Sequence, residues 1–199
     1  MGAVAAPGAA GMPGLGGGEG RFVPGGAPLP GLKPWVGSRS RLTEGRDNDI
    51  VVLVLPPFDQ AGNLPPGIHW VSWQEFSERF GMTPHRGRLL AGLREALLAL
   101  RLAGCRTVYL GGSFVTAKET PGDFDGCWDP QGVSLDKLDP VFLDFSNKRA
   151  AQKAKYRGEM FTAGSPAGPA GRTFLEFFQQ DREGNPKGIV AFALQRLSL

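Results

Sequence analysis

Asp123 and Asp125 stand two positions apart, ten residues after the pair Gly112-Ser113. In an extended segment, residues two apart face the same side, so both carboxylates project together. Two such carboxylates make a hard-oxygen site suited to Mg2+ or Mn2+; without a cation between them they repel. Glycine lets backbone amides approach a phosphate closely, and the serine hydroxyl adds a donor. Lys118, five residues beyond Ser113, brings a point positive charge to the same phosphates. The set suits a metal–triphosphate unit, where metal ions stabilise attacking and leaving oxygens in phosphoryl or nucleotidyl transfer.

The elements that must position these residues are legible as alternating strand and helix signals. The apolar run 50–55 reads as a strand stopped by Pro56-Pro57, and 59–67 as a turn-rich link. Ser72 and Glu75 have capping-box spacing and predict a helix with Phe76 and Phe80 on one face, closed by Gly81. Thr83-Pro84 predicts a second helix running to about Ala103. Its apolar stripe is Leu89, Leu90, Leu93, Ala96, Leu97 and Leu100, with Arg86, Arg88, Arg94, Glu95 and Arg101 mainly off it. Residues 107–110 read as a buried strand broken by Gly111-Gly112-Ser113, residues 114–122 as a short helix or loop, and 123–128 as a second strand. Helical segments are expected over 139–157, from Asp139-Pro140 to a stop at Gly158, then a strand over 159–163 and a loop over 164–172. A helix over 173–180, a turn over 185–188 and a last strand over 189–194 complete the pattern. The expectation is an α/β (α+β) domain over 49–199, a small mixed sheet flanked by helices.

The ordered combination of strand, Gly112-Ser113, spacer and Asp123-x-Asp125 resembles the signature of the DNA polymerase beta-type nucleotidyltransferase superfamily. Its minimal members order a strand, a Gly-Ser helix start, an Asp-x-Asp strand, a helix, and a third strand with one more acid. Residues 112–118 (Gly-Ser-Phe-Val-Thr-Ala-Lys) followed by 121–125 (Pro-Gly-Asp-Phe-Asp) more closely resemble an uncharacterised bacterial family of nucleotidyltransferase-like proteins. So do residues 64–69 (Leu-Pro-Pro-Gly-Ile-His) and the pattern Phe-Phe-Gln-x-Asp-Arg…Lys-Gly-Ile over 177–189, and the likeness spans roughly 55–194.

The resemblance implies a minimal nucleotidyltransferase fold. It also implies Mg2+-dependent (or Mn2+-dependent) transfer of a nucleoside monophosphate from an NTP to a protein or RNA hydroxyl. Minimal members often act in toxin–antitoxin or defence pairs, which implies a partner protein from the same operon and a cytoplasmic setting. By the same analogy Asp123, Asp125 and Glu159 are the metal-holding catalytic acids, with Asp144 and Glu176 as rivals for the third place. Gly112, Ser113 and Lys118 are then the nucleotide-binding residues. Two departures from the pattern keep a catalytically inactive, antitoxin-like interaction protein as the alternative. A glutamate stands where aspartate is commoner, and the segment after Gly-Ser is only Phe-Val-Thr-Ala-Lys.

Composition bounds what remains. Of 199 residues, 30 are Gly and 17 are Pro, and residues 1–46 hold 13 and 6 of these with no hydrophobic period. Such a segment buries too little apolar surface to offset its ordering entropy and reads as a disordered arm over 1–48. Net charge is +3, but residues 1–46 carry five basic and two acidic side chains, leaving 17 of each sign in the rest. A neutral domain argues against a broad nucleic-acid footprint. No run of 18 apolar residues predicts a membrane span, and the first residues lack the basic-then-apolar order of a secretory leader. Two cysteines without a CxxC partner point away from a disulfide scaffold or a zinc site. Gly-x-Ser-x-Gly and the P-loop pattern are absent. His69, beside Trp70 and Trp73, reads as a packed structural histidine, and Arg182 and Lys187 as solvated residues flanking a turn.

Overall fold

The structure, a computed structural model, describes residues 55–168 and 171–198, and these belong to one compact unit. The expected arm over 1–48 and residues 50–54 of the strand expected over 50–55 lie outside the described residues; its last residue, Leu55, is irregular and buried.

Five strands form one mixed sheet: β1 (Gly67–Trp70), β2 (Thr107–Gly111), β3 (Phe124–Trp128), β4 (Gly158–Thr162) and β5 (Gly188–Ala193). Their order is β1-β5-β2-β3-β4, with β1/β5 and β3/β4 parallel and β2 antiparallel to both its neighbours. The α+β class with a mixed sheet flanked by helices is therefore the observed one. β1 was not expected: its four residues alternate poorly and follow Pro65-Pro66, so they carry no strand signal until β5 pairs with them.

The helices form where caps and apolar spacing demand them. Ser72 accepts from the Glu75 N–H and starts α1 (Trp73–Phe80), burying Phe76 and Phe80. The Glu75 carboxylate is drawn to the Leu55 N–H at 2.6 Å. Gly81 closes α1 at φ −99°, so it is not there for a left-handed turn; a Cβ would collide with Leu90 and the Ser77 carbonyl. Thr83 caps α2 (Pro84–Leu102), with proline in its first turn, and the full leucine stripe is buried.

Alternation splits the core between the two sheet faces. Val108, Leu110, Phe124, Trp128, Val190 and Phe192 pack toward α1 and α2. Tyr109, Cys127, Phe161, Ile189 and Ala191 pack on the other face with Leu175 and Phe178 of α4 (Phe174–Phe178). Helix α4 starts at a full capping box between Thr173 and Glu176.

Helical segments occupy 139–157 as expected, but they are short and separate. Single 3-10 turns at Pro140–Leu143 and Ser146–Lys148 precede α3 (Ala150–Tyr156), because Asn147, Lys148 and Arg149 all adopt positive φ. Gly158 does not stop that helix. Arg157 does, at φ 63°, and Gly158 opens β4, where a Cβ would strike the Phe124 ring. Residues 112–117 form turns and bends, so of the short helix or loop expected over 114–122 the loop is the one observed.

Arg86 is buried rather than solvated, although its helix position lies off the leucine stripe. Its guanidinium donates to the carbonyl oxygens of Phe80 (2.7 Å), Lys118 (2.6 Å) and Phe114, and lies over the Phe114 ring. One cation thus ties the end of α1 to both ends of the segment that follows Gly112-Ser113. Arg86→Met should cost about 3–5 kcal/mol in chemical denaturation, since two buried carbonyls and a part-buried one lose a charged donor. Arg86→Lys should recover little of this, because a point charge cannot reproduce the planar fork. Full rescue by lysine would contradict the role assigned to Arg86.

Candidate functional site

The ladder places the chemistry-bearing residues at one end of three adjacent strands. Gly111, the last residue of β2, pairs with Asp125 of β3, and Asp125 pairs with Glu159 of β4. Immediately after Gly111 the chain turns at Gly112, φ +65°, and a Cβ there would lie 2.9 Å from both Cβ and Cγ of Asp125. Only glycine satisfies that left-handed conformation and that close approach together. A Cβ at Gly111 would likewise collide with Phe178 of α4.

A cleft of about 1020 Å3 opens at this end of the sheet. Gly112, Ser113, Lys118, Asp123 and Asp125 all line it. Five of the six residues expected to hold metal or nucleotide are thus brought to one surface. Arg172, Arg182, Lys187 and Phe177 line the same cleft from the segment around α4 and the turn before β5.

Glu159 is placed differently. It is buried beside Asp125 in register but does not line the cleft. Its carboxylate accepts from Arg149 Nε at 2.5 Å and pairs with Lys153 Nζ at 2.5 Å. Lys153 also reaches Asp123 at 3.2 Å. Among the described residues, no group of three or more His, Cys, Asp or Glu side chains is arranged to hold a metal ion. Four acids line the cleft, Asp123 and Asp125 beside the Gly112 turn and Asp181 and Glu183 from the turn before β5, where Asp181 accepts from Asn185. The rivals for the third place are occupied elsewhere: Asp144 accepts from Ser146, and Glu176 closes the capping box on Thr173.

The electrostatics follow from burial. Desolvation, then the neighbouring charges of Asp123 and Glu159, push the Asp125 carboxyl up to about 6. No side chain or backbone group hydrogen-bonds it among the described residues, whereas Lys153 and Lys187 lower it only partly. Lys187 is buried, not solvated; its Nζ donates to the Gly112 carbonyl at 3.3 Å, and burial pulls its pKa down. Its sequence context, a turn beside Pro186, hides this, because the burial comes from β5 pairing between β1 and β2. Arg149 and Lys153 were also missed as site residues; Arg149 is the left-handed residue just before α3, and Lys153 lies one turn into that helix. His69 is held structurally, its Nε2 2.7 Å from the Pro65 carbonyl. Cys127 is buried in the core, and burial pushes its thiol up.

A protein-family model, a family of unknown function (DUF6932), matches residues 56–193. The chain belongs to the DUF6932 family. The matched span contains every site residue of this DUF6932 domain, from Gly112 through Glu159 to Lys187. Neither the curated proteins nor the solved structures contain a match. No helix among the described residues is long and apolar enough to cross a membrane.

Asp125 is raised from an ordinary carboxyl value of 3.8, so the fold disfavours its ionised form. That penalty is present above about pH 6 and disappears as pH falls toward the unfolded value. Asp125→Asn should therefore stabilise the ligand-free protein by about 1–3 kcal/mol near pH 8. The gain should shrink through about pH 6 and vanish near pH 4 in thermal melts. A gain independent of pH would refute the assignment.

Proposed function

We propose that the cleft binds a nucleoside triphosphate with Mg2+ or Mn2+, and that the protein transfers the nucleoside monophosphate to a hydroxyl of a protein or RNA. The observation that carries this reading is the seating of the Gly112 turn directly against Asp125, with Asp123 on the same cleft. Support also comes from the order of elements. The antiparallel pair β2/β3, helix α3 and strand β4 parallel to β3 follow the arrangement implied by the likeness to minimal nucleotidyltransferases.

The donor set fits a hard divalent cation. Asp123 and Asp125 are two carboxylates facing one cleft, and Asp125 is a half-buried acid without a hydrogen-bond donor among the described residues. When bound, such an ion would neutralise charge on the triphosphate and the leaving pyrophosphate. The chain's own residues supply the rest. The Gly112-Ser113 turn offers backbone amides and a hydroxyl to phosphate oxygens. Lys118, Lys187, Arg172 and Arg182 line the cleft with positive charge for the remaining oxygens. Phe177, 44% exposed at the cleft, offers an aromatic face on which a base can stack. The acceptor oxygen bonds to the α-phosphorus, the bond to the bridging oxygen breaks, pyrophosphate leaves with that electron pair, and the hydroxyl proton passes to solvent. Glu159 pairs with both Arg149 and Lys153 and so positions Lys153 beside Asp123.

One observation favours a second reading. A third acid neutralised by two cations is compatible with a protein that binds nucleotide without turnover, an antitoxin-like partner encoded in the same operon. The two readings separate in one assay. The purified chain is incubated with α-labelled NTPs, Mg2+ and cell lysate, beside an Asp123→Ala/Asp125→Ala variant. Transfer to a protein or RNA band that falls at least about a hundredfold in the variant supports the enzyme. Nucleotide binding without transfer by the intact protein supports the binding role and contradicts catalysis.

A further inference from the structure

A second cavity, about 280 Å3, lies on the other side of Asp123. His85, Arg88, Lys153 and Arg157 line it, together with Gly122 and Asp123. Gly122 and Asp123 line the large cleft as well, so the two cavities share a wall at the first of the two acids.

The small cavity is cationic in excess of any charge the protein supplies to balance it. Lys153 is paired with Asp123 and Glu159. Arg88 and Arg157 are not: the ion pairs among the described residues run from Arg149, Lys153 and Lys155. Arg88 lies near the start of α2, whose first turn holds no acid, so the helix end adds its partial positive charge. His85, in the same turn, anchors the loop before Asp123 through the Pro121 carbonyl at 2.6 Å. Arg157 occupies a left-handed position at φ 63°, where glycine is the usual residue.

Two unpaired guanidiniums in a cavity of this size suit one or two phosphate groups. We propose that the small cavity holds a backbone phosphate of the acceptor, and that the acceptor is the hydroxyl end of an RNA strand. This rests on the nucleotidyl-transfer reading. A strand seated there places its terminal hydroxyl at Asp123, against the α-phosphate of a nucleotide in the large cleft. That oxygen bonds to the α-phosphorus as pyrophosphate departs, and the hydroxyl proton goes to solvent. The neutral balance of residues 47–199, 17 charges of each sign, restricts the contact to this pocket. With about two phosphates neutralised, the affinity for single strands should fall with salt at a log–log slope near −1.4, not the steep slope of a broad basic face.

The test uses the full chain, a short fluorescent single-stranded RNA, and separately a fluorescent ATP analogue with Mg2+. Arg88→Gln keeps an exposed helical position, and Arg157→Gly keeps the left-handed backbone, so both variants should fold; thermal melts check this. The expected result is RNA binding weakened about tenfold or more by each variant, with nucleotide binding within about twofold of the wild type. Lys187→Ala should do the reverse. Three results overturn the inference while leaving the transfer reading intact. They are a wild type that binds nucleotide but not RNA, variants that bind RNA at full strength, or label transfer to a protein undiminished by Arg88→Gln. A wild type that binds no nucleotide overturns the transfer reading and this inference with it.

Discussion

The register between β2, β3 and β4 is the constraint on which the rest of this molecule depends. With Gly111 opposite Asp125 and Asp125 opposite Glu159, the end of β2 and two acids are fixed within one row of the sheet. A one-residue slip would turn Asp125 toward the leucines of α2 and bring Phe124 to the cleft face. The register is held by what lies behind it. Val108, Leu110, Phe124, Trp128 and Met160 are all buried on the α1/α2 face, and none tolerates exposure. The glycines finish the fit. Gly126 and Gly158 sit where a Cβ would meet Met160, Leu110 or the Phe124 ring, and Gly92 where it would meet the Tyr156 carbonyl of α3.

That geometry forces charges together, and the fold answers with cations from three places. Lys153 arrives from α3, Arg149 from the left-handed turn before it, and Lys187 from the start of β5. Arg149 and Lys153 saturate Glu159, while Asp125 keeps a half-buried carboxyl raised to about 6 with only distant compensation. Three consecutive residues at positive φ, Asn147 to Arg149, are the backbone conformation that delivers Arg149 to Glu159. Strain of that kind persists only where surrounding structure over-determines it. Here the over-determination includes the stacked Phe142 and Tyr156 rings and Tyr156 hydrogen-bonded to Asp139.

Much of this was legible in the sequence because it was local. Ser72, Thr83 and Thr173 announce helix starts, and each caps as its spacing requires. The Gly-Ser and Asp-x-Asp segments were legible as a pair, and both reach the cleft. What was not legible is tertiary. Arg86 lies off the apolar stripe of α2 and is buried only because three carbonyls from distant turns surround it. Lys187 reads as a turn lysine until two neighbouring strands enclose β5. Glu159 stands on the strand beside Asp125 as its position in the chain suggested, but its partners were not legible, since Arg149 reaches it through a left-handed turn that has no glycine to signal it.

The central claim is that Asp123, Asp125 and the Gly112-Ser113 turn form one cation–nucleotide site. Paramagnetic broadening of amide NMR signals tests it most directly, with Mn2+ titrated into the full chain in the presence of a non-hydrolysable nucleotide. The account predicts that the signals of residues 111–113 and 123–126 broaden first and together, at substoichiometric Mn2+, and that omitting the nucleotide weakens the effect. Broadening that begins at exposed acids such as Asp144 and Glu176, with those two segments unaffected, would contradict it.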